Sequence, residues 1–302
     1  MAESVISVRH FRMAFDGTMV VEDLSFEVGA GQVFGFLGSN GSGKTTTIRA
    51  LLGIYQPTGG ELLINGKPFD PAHASYLGYL PEERGLYKKE SVLDTMVFFG
   101  RLKGMTKADA ARWSRDYLES VELGHKVNEK VGTLSGGQQQ KVQFGVTIMN
   151  DPKLLILDEP TKGLDPLNRR LMLDIIHQRV SDGATVVLVT HQMEEVERLC
   201  DRMLLLKDGV ARLYGGVDEI RRAHGSEKVH LRFDGALPEN ATLYAIAARG
   251  TSTAELAPAE GVDGQSILHY LAEQPDLEIK AFELRPPSLD DLFVEIYREG
   301  SR

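Results

Sequence analysis

Between residues 4 and 37 the apolar positions come in short runs broken by turn residues: SVISVRHF, MVVEDLSFEV and GQVFGFLG. Such runs, rich in β-branched and aromatic side chains, predict strands, and Asp16-Gly17 and Gly29-Ala30-Gly31 predict the turns between them. A glycine-rich loop at 38–43 then opens a helix through KTTTIRALLG. GELLING predicts a strand and a turn, and SYLGYLP a strand stopped by Pro81, which cannot donate to a ladder. From about 88 to 150 the apolar spacing becomes helical. Ser91 is placed to cap VLDTMVFFGRLKG, and Thr106 with Asp109 has capping-box spacing ahead of KADAARWSRDYLESVEL. A third helix is expected over 135–149.

Beyond Pro152 the pattern alternates between the two periods. KLLILD, ATVVLVT and RMLLLKD predict strands, with NRRLMLDIIHQRV and QMEEVERLC as helices between them. That alternation predicts an α/β fold with a parallel sheet, whose ligands sit beyond the C-terminal ends of the strands. KDGV at 207–210 predicts a hairpin turn. At 224–226 the character changes. KVHLRF, QSILHYLAEQ, LEIKAFEL and SLDDLFVEIYRE predict strand, helix, strand and helix, with Ser288 and Asp291 at the start of the last. Residues 234–264, rich in Ala, Gly and Pro, have the weakest pattern. We read 226–302 as a small α+β domain. No internal repeat or low-complexity tract appears.

Charge adds one distinction. The chain carries −9 overall, and residues 226–302, with 14 Asp/Glu and 7 Lys/Arg, account for −7 of it. No basic tract suited to nucleic acid appears, so none is expected as a partner. No apolar run approaches the roughly 18 residues of a membrane span. The N-terminal MAESVISVRHF has no basic region followed by an apolar core, so no signal peptide is expected. The single cysteine, Cys200, cannot form an internal disulfide, which fits a reducing compartment, and is expected to be a small buried hydrophobe.

The chemistry starts at GSNGSGKTT, residues Gly38, Ser39, Asn40, Gly41, Ser42, Gly43, Lys44, Thr45 and Thr46. This is the Walker A pattern, between a strand and a helix as the motif requires. Glycines let backbone N–H groups wrap phosphates, and the helix N-terminus adds a favourable dipole. Lys44 would neutralise the β- and γ-phosphates, and the Thr45 hydroxyl would hold Mg²⁺. LLILDEP ends an apolar strand in two carboxylates. Asp158 is the natural Mg²⁺ residue, and Glu159 could orient the attacking water. TLSGGQQQKV places Ser135, Gly136 and Gly137 at the start of a helix. By itself this is either a second anion-binding terminus or a plain serine cap, for which two glycines would be a poor continuation.

In this order, GSNGSGKT, LSGGQ, LLILDEP, GLDP and the histidine of LVTHQ resemble the ATP-binding-cassette (ABC) ATPases over roughly residues 4–222. The resemblance implies a P-loop NTPase cassette: a mostly parallel sheet core, an N-terminal antiparallel β part and a helical subdomain at about 88–150. It implies ATP hydrolysis with Mg²⁺ in a head-to-tail dimer holding two ATPs. Each ATP would lie on one subunit's phosphate loop and be closed by Ser135, Gly136, Gly137, Gln138 and Asp165 of the other. His191 matches the switch histidine that contacts the γ-phosphate. Phe15 falls where an aromatic ring stacks on adenine, with Phe11 close enough to be confused with it. After GYLP the family usually has a glutamine that reaches Mg²⁺. This sequence has Glu82, also a hard oxygen ligand but not a donor when ionised.

RPPSLDDLFVEIYRE and PEERGLY further resemble subunits of the ABC-2-like exporter class, including sodium-extrusion and multidrug types. That implies integral membrane permease partners and a peripheral position on the cytoplasmic inner face of the cell membrane. Lys44, Glu159, His191 and Ser135 are all present, which favours a homodimer of this chain over a heterodimer. A helix of the permease would rest near residues 79–105. The alternatives are a cassette protein acting on ribosomes or DNA, whose relatives carry a second cassette or a long coiled coil, and a P-loop kinase, which leaves LSGGQ and GLDP without a role.

Overall fold

The computed structural model describes residues 4–223, 228–285 and 288–299. Its contacts divide the chain into two units, Met1–Val217 and Asp218–Arg302. The division lies a few residues before the change of character at 224–226.

The first unit begins with strands β1 (Ser4–Phe15) and β2 (Thr18–Gly29), joined at Asp16 and Gly17, both with positive φ. Two such residues make the turn whose twist matches paired antiparallel strands. Next come β3 (Val33–Leu37), helix α1 (Lys44–Leu51), β4 (Gly59–Ile64) and β5 (Leu77–Leu80). Ser75 and Tyr76, expected to be strand, belong to a 3-10 turn at Pro71–Tyr76. Three helices follow: α2 (Val92–Leu102), α3 (Lys107–Ser120) and α4 (Gly136–Ile148). The chain then alternates through β6 (Leu154–Asp158), α5 (Pro166–Ser181), β7 (Thr185–Thr190), α6 (Met193–Leu199), β8 (Arg202–Lys207) and β9 (Val210–Gly216).

Strands β2-β1-β4 form an antiparallel sheet, and β5-β6-β7-β3-β8-β9 a second sheet that is parallel except at β9. Every residue of β3, β6 and β7 is buried, as expected where both faces of a parallel sheet are covered. Phe34, Phe36, Ile156 and Val187 share one core with Ile48 and Leu51 of α1 and with Ile6, Phe11 and Val28 of the antiparallel sheet. Burying each such side chain contributes about 1.5–3 kcal/mol. Cys200 is buried, and burial pushes its thiol pKa up.

Register sets where the site forms. Leu37 pairs with Thr190, and Asp158 with Val189. The ends of β3, β6 and β7 therefore lie side by side, and the residues that follow them emerge along one edge.

Ser91 and Thr106 cap α2 and α3, accepting from the backbone N–H of Asp94 and Asp109. Their hydroxyls also donate to those aspartates, at 2.6 Å, so the carboxylates bond the cap side chain rather than its backbone. α3 lies close on α4: the buried Tyr117 ring covers Gly145, and its hydroxyl donates to Lys141 O at 2.7 Å.

Helix α7 (Val217–Ala223) starts at the division between the units. The second unit continues with β10 (Lys228–Gly235), β11 (Tyr244–Arg249), β12 (Thr253–Pro258), α8 (Gly264–Ala272), β13 (Leu277–Arg285) and α9 (Leu289–Glu299). Its antiparallel sheet has the order β11-β12-β10-β13, with Val229, Leu231, Phe233, Leu256, Ile267 and Leu271 in its core. Residues 234–264 thus contain two strands that the weak pattern concealed. Among the described residues, no helix is long and apolar enough to cross a membrane.

Candidate functional site

The loop from Gly38 to Gly43 takes a path open only to glycine at its key points. Gly38, Gly41 and Gly43 have φ of 155°, 82° and 108°, and a Cβ on Gly38 would overlap Leu206 O. No side chain caps α1 at Gly43, so the first N–H groups of that helix have no side-chain partner there. Lys44, 7% exposed, folds back and donates to Gly38 O at 2.8 Å and Ser39 O at 3.0 Å. Burial lowers its pKa, and the charges of Glu159, Asp158 and Glu82 pull it upward. Ser42 Oγ is buried without a partner among the described residues.

Asp158 ends β6 and accepts from Thr45 Oγ1 at 3.3 Å. Burial, then Glu82 and Glu159, push its carboxyl up to about 6. Glu159 has a φ of 50°, an uncommon backbone for a non-glycine residue that its N–H bond to Val189 O holds at 2.8 Å. Its Oε1 lies 2.7 Å from His191 Nδ1, while Oε2 is buried with no partner among the described residues. An unsatisfied buried carboxylate oxygen is costly, and one beside a phosphate loop has an obvious use for a donor such as water. His191 is 54% exposed in its side chain. Asn40, Gly41, residues 43–46, Glu82, Asp158 and Glu159 all line one cleft of about 340 Å³. Glu82 Oε1 there meets Lys162 Nζ at 2.6 Å.

The Ser-Gly-Gly turn lies elsewhere on the chain. Ser135 is the cap of α4: its Oγ accepts from Gln138 N at 3.3 Å, and Gln138 Oε1 accepts from Ser135 N at 2.9 Å. The serine is therefore a full capping box despite the glycines that follow it. Ser135, Gly136, Gly137, Gln138 and Asp165 line a separate cleft of about 580 Å³. Asp165 caps α5 through Asn168, and those hydrogen bonds hold its carboxyl below the usual range. The two clefts share no lining residue.

Phe11 is fully buried, whereas Phe15 is 39% exposed, so of the two Phe15 is the ring open to a ligand. It meets Tyr55 edge-on at 5.3 Å and does not line the phosphate cleft.

Three participants escape sequence reasoning. Lys162 pairs with a residue 80 positions earlier, and no local motif announces it. Tyr55 adjoins Phe15 from a separate loop. Glu195, buried behind the site, accepts from Thr161 and from Thr190 Oγ1 and so ties the loop after β6 to the end of β7. Burial raises its pKa, against the hydrogen bonds of those threonines.

Comparison with known proteins agrees with this geometry. Residues 21–162 match the ABC transporter family model, and residues 215–297 match the C-terminal domain of DrrA1-3-like ATP-binding proteins. An ABC transporter ATP-binding protein of Bacillus subtilis, YhaQ, is 36% identical over 96% of this chain and 98% of its own length. The Nod factor export ATP-binding protein I of Burkholderia lata is 32% identical, covering 96% of each chain. A solved ATP-binding subunit of an ABC transporter superposes with a TM-score of 0.68 at 29% identity, covering 72% of this chain and 92% of that one. The strand-end carboxylates, the glycine loop and the capped Ser-Gly-Gly helix are thus those of a chain that belongs to the ABC transporter ATP-binding proteins, the cassettes that hydrolyse ATP to drive transport.

Proposed function

We propose that this chain is the ATP-hydrolysing subunit of an exporter, which dimerises around two ATPs and drives a separate integral membrane permease. The observation that carries the reading is Glu159: one oxygen held by His191, the other buried and open, beside the Thr45–Asp158 pair at the phosphate loop.

Thr45 Oγ1 and the carboxylates of Asp158 and Glu82 are hard oxygen donors suited to Mg²⁺. No group of three or more His, Cys, Asp or Glu side chains able to hold a metal occurs among the described residues. Mg²⁺ takes few protein ligands and completes its shell with phosphate and water. When bound, Mg²⁺ would neutralise charge on the β- and γ-phosphates. Lys44 exchanges the Gly38 and Ser39 carbonyls for phosphate oxygens. Residues 38–46 wrap the triphosphate with backbone N–H groups. Glu159 Oε2 orients the attacking water and accepts its proton, and His191 fixes Oε1 and faces the γ-phosphate. Phe15 stacks on adenine.

The separation of the two clefts supports a head-to-tail homodimer, because Ser135, Gly136, Gly137, Gln138 and Asp165 would otherwise have no nucleotide to close on. The permease would dock where Tyr87, Phe98 and Phe99 form a ring cluster with centroids 5.4–5.9 Å apart, two of its rings and Leu102 being exposed. Such an exposed aromatic patch on a helix suits a partner helix. We assign residues 1–222 to the cassette and 226–302 to an accessory domain, in a complex on the cytoplasmic face of the membrane.

Lys44→Ala tests the core of this reading. Calorimetry should show ATP affinity lost; retained affinity would remove the phosphate-loop role. Copurification with an integral membrane protein tests the exporter role, and copurification with ribosomes instead would overturn it.

A further inference from the structure

Glu82 leaves the C-terminal end of β5 and faces the same cleft as Asp158 and Glu159. Its Oε1 is 2.6 Å from the Nζ of Lys162, which stands three residues after Glu159 in the loop that runs on to Asp165. The ion pair therefore ties the loop after β5 to the loop after β6. The two side chains are 43% and 58% exposed. Pairs so open to water add little to folding, so stability does not explain this one.

Charge does. Three carboxylates face a cleft read as the seat of a triphosphate, and Lys44 is committed to the carbonyls of its own loop. A glutamine at position 82 would add no charge and would form no ion pair. A glutamate adds a negative charge that needs either a cation from the protein or one brought with the nucleotide. Lys162 is the protein's cation. A divalent ion competes well for a carboxylate whose one partner among the described residues is a solvated ammonium.

We propose that Lys162 is a positioning residue for Glu82. Without nucleotide it holds the carboxylate on the cleft wall, and it yields that oxygen when Mg²⁺ arrives with ATP. This rests on the reading of the cleft as the Mg²⁺–ATP site. The released ammonium stands next to Gly163, which lines both the cleft containing Lys162 and the one containing Ser135. On the other side, the Arg84 guanidinium lies about 3.1 Å from where a Cβ of Gly136 would stand. The exchange thus alters charge between the site that binds one nucleotide and the surface that would close on another.

The test is a double-mutant cycle on the full chain. ATP binding is followed by calorimetry across a Mg²⁺ series for wild type, Lys162→Ala, Glu82→Gln and the double variant, each checked for folding by thermal unfolding. Lys162→Ala should lower the half-saturating Mg²⁺ concentration about threefold or more in the wild-type background, because a competitor is removed, and by clearly less in the Glu82→Gln background. Lys162→Arg keeps the ion pair and should keep the wild-type Mg²⁺ requirement. Equal shifts in both backgrounds would make Lys162 a mere neighbouring charge, and an unchanged or raised requirement would end the competition model. A wild-type chain that binds no ATP at any Mg²⁺ concentration would instead defeat the nucleotide-site reading itself.

Discussion

His191 Nδ1 lies 2.7 Å from Glu159 Oε1, and the other oxygen of that carboxylate is buried with nothing to bond among the described residues. The histidine fixes the carboxylate's orientation, and in the proposed mechanism the other oxygen activates water. Glu159→Gln keeps the shape and removes the base. Turnover should fall by about 10²–10⁴-fold while ATP still binds, and the protein should accumulate as a dimer with ATP. His191→Ala releases Oε1 and should slow turnover with little change in ATP affinity. Wild-type turnover in Glu159→Gln, measured by phosphate release, would overturn the assignment of the base.

Ser135 separates two roles, cap and anion site. Aspartate caps helices as well as serine does, but it sets a carboxylate against any phosphate approaching α4. Ser135→Asp should therefore leave thermal stability within about 0.5 kcal/mol of wild type. In the Glu159→Gln background it should abolish the ATP-dependent dimer seen by size exclusion. A dimer that survives this change would mean that the Ser-Gly-Gly turn is a helix start and nothing more.

Gly145 sets helix propensity against packing. Alanine gains about 1 kcal/mol in a helix interior. Its methyl would overlap the Tyr117 ring, which is stacked on Trp113 at 5.2 Å and held by its bond to Lys141 O. Overpacking of this kind costs about 1–3 kcal/mol, and an overlap this close belongs at the upper end, so Gly145→Ala should be net destabilising by about 2 kcal/mol. A urea midpoint at or above that of wild type would show that the ring can give way.

Lys103 gives stability a pH dependence. Its ammonium donates to Thr147 O, in the last turn of α4, at 2.8 Å and to Met149 O, just past the helix end, at 3.2 Å, and burial lowers its pKa from 10.5 to about 8. From pH of about 8 to about 10.5 the unfolded chain thus holds more proton than the folded one, and this group's contribution to stability rises with pH. Below that window the folded chain bears the full cost of the buried charge. Compared with Lys103→Met, which does not titrate there, wild type should gain stability as pH climbs through the window. A flat difference between the two denaturation series would mean that the amine is solvated.

Much of the site was legible because its chemistry is local. Gly38 to Thr46 and Asp158-Glu159 are contiguous motifs whose neighbouring strands have unambiguous apolar runs. The Glu82–Lys162 pair was not legible, since it depends on two loops that only the β5–β6 pairing brings together. Nor were β11 and β12: in β11 only Tyr244 is buried, and alanines fill much of the rest, so neither periodicity nor β-propensity marks the strand. The helix that starts at Ser135 was legible, while the residues alone leave open whether its Ser-Gly-Gly turn is a plain cap or an anion site. Glycines disfavour a helix start on propensity alone, but nine consecutive buried residues, Gln140 to Ile148, hold α4 by packing.

The adjacent pairing of β5 and β6 has a further consequence. Both strands are short, and the whole stretch from 81 to 153, with α2, α3 and α4, is a single excursion between them. Its ends are fixed by hydrogen-bonded neighbours, so its interior can be lengthened, exchanged or retuned without shifting Asp158 along its strand. Within it, the stretch of α2 and α3 can change while Glu82 and Ser135 to Gln138 keep their places at its two ends, whereas a one-residue slip inside β6 would turn Asp158 and Glu159 to the opposite faces of the sheet.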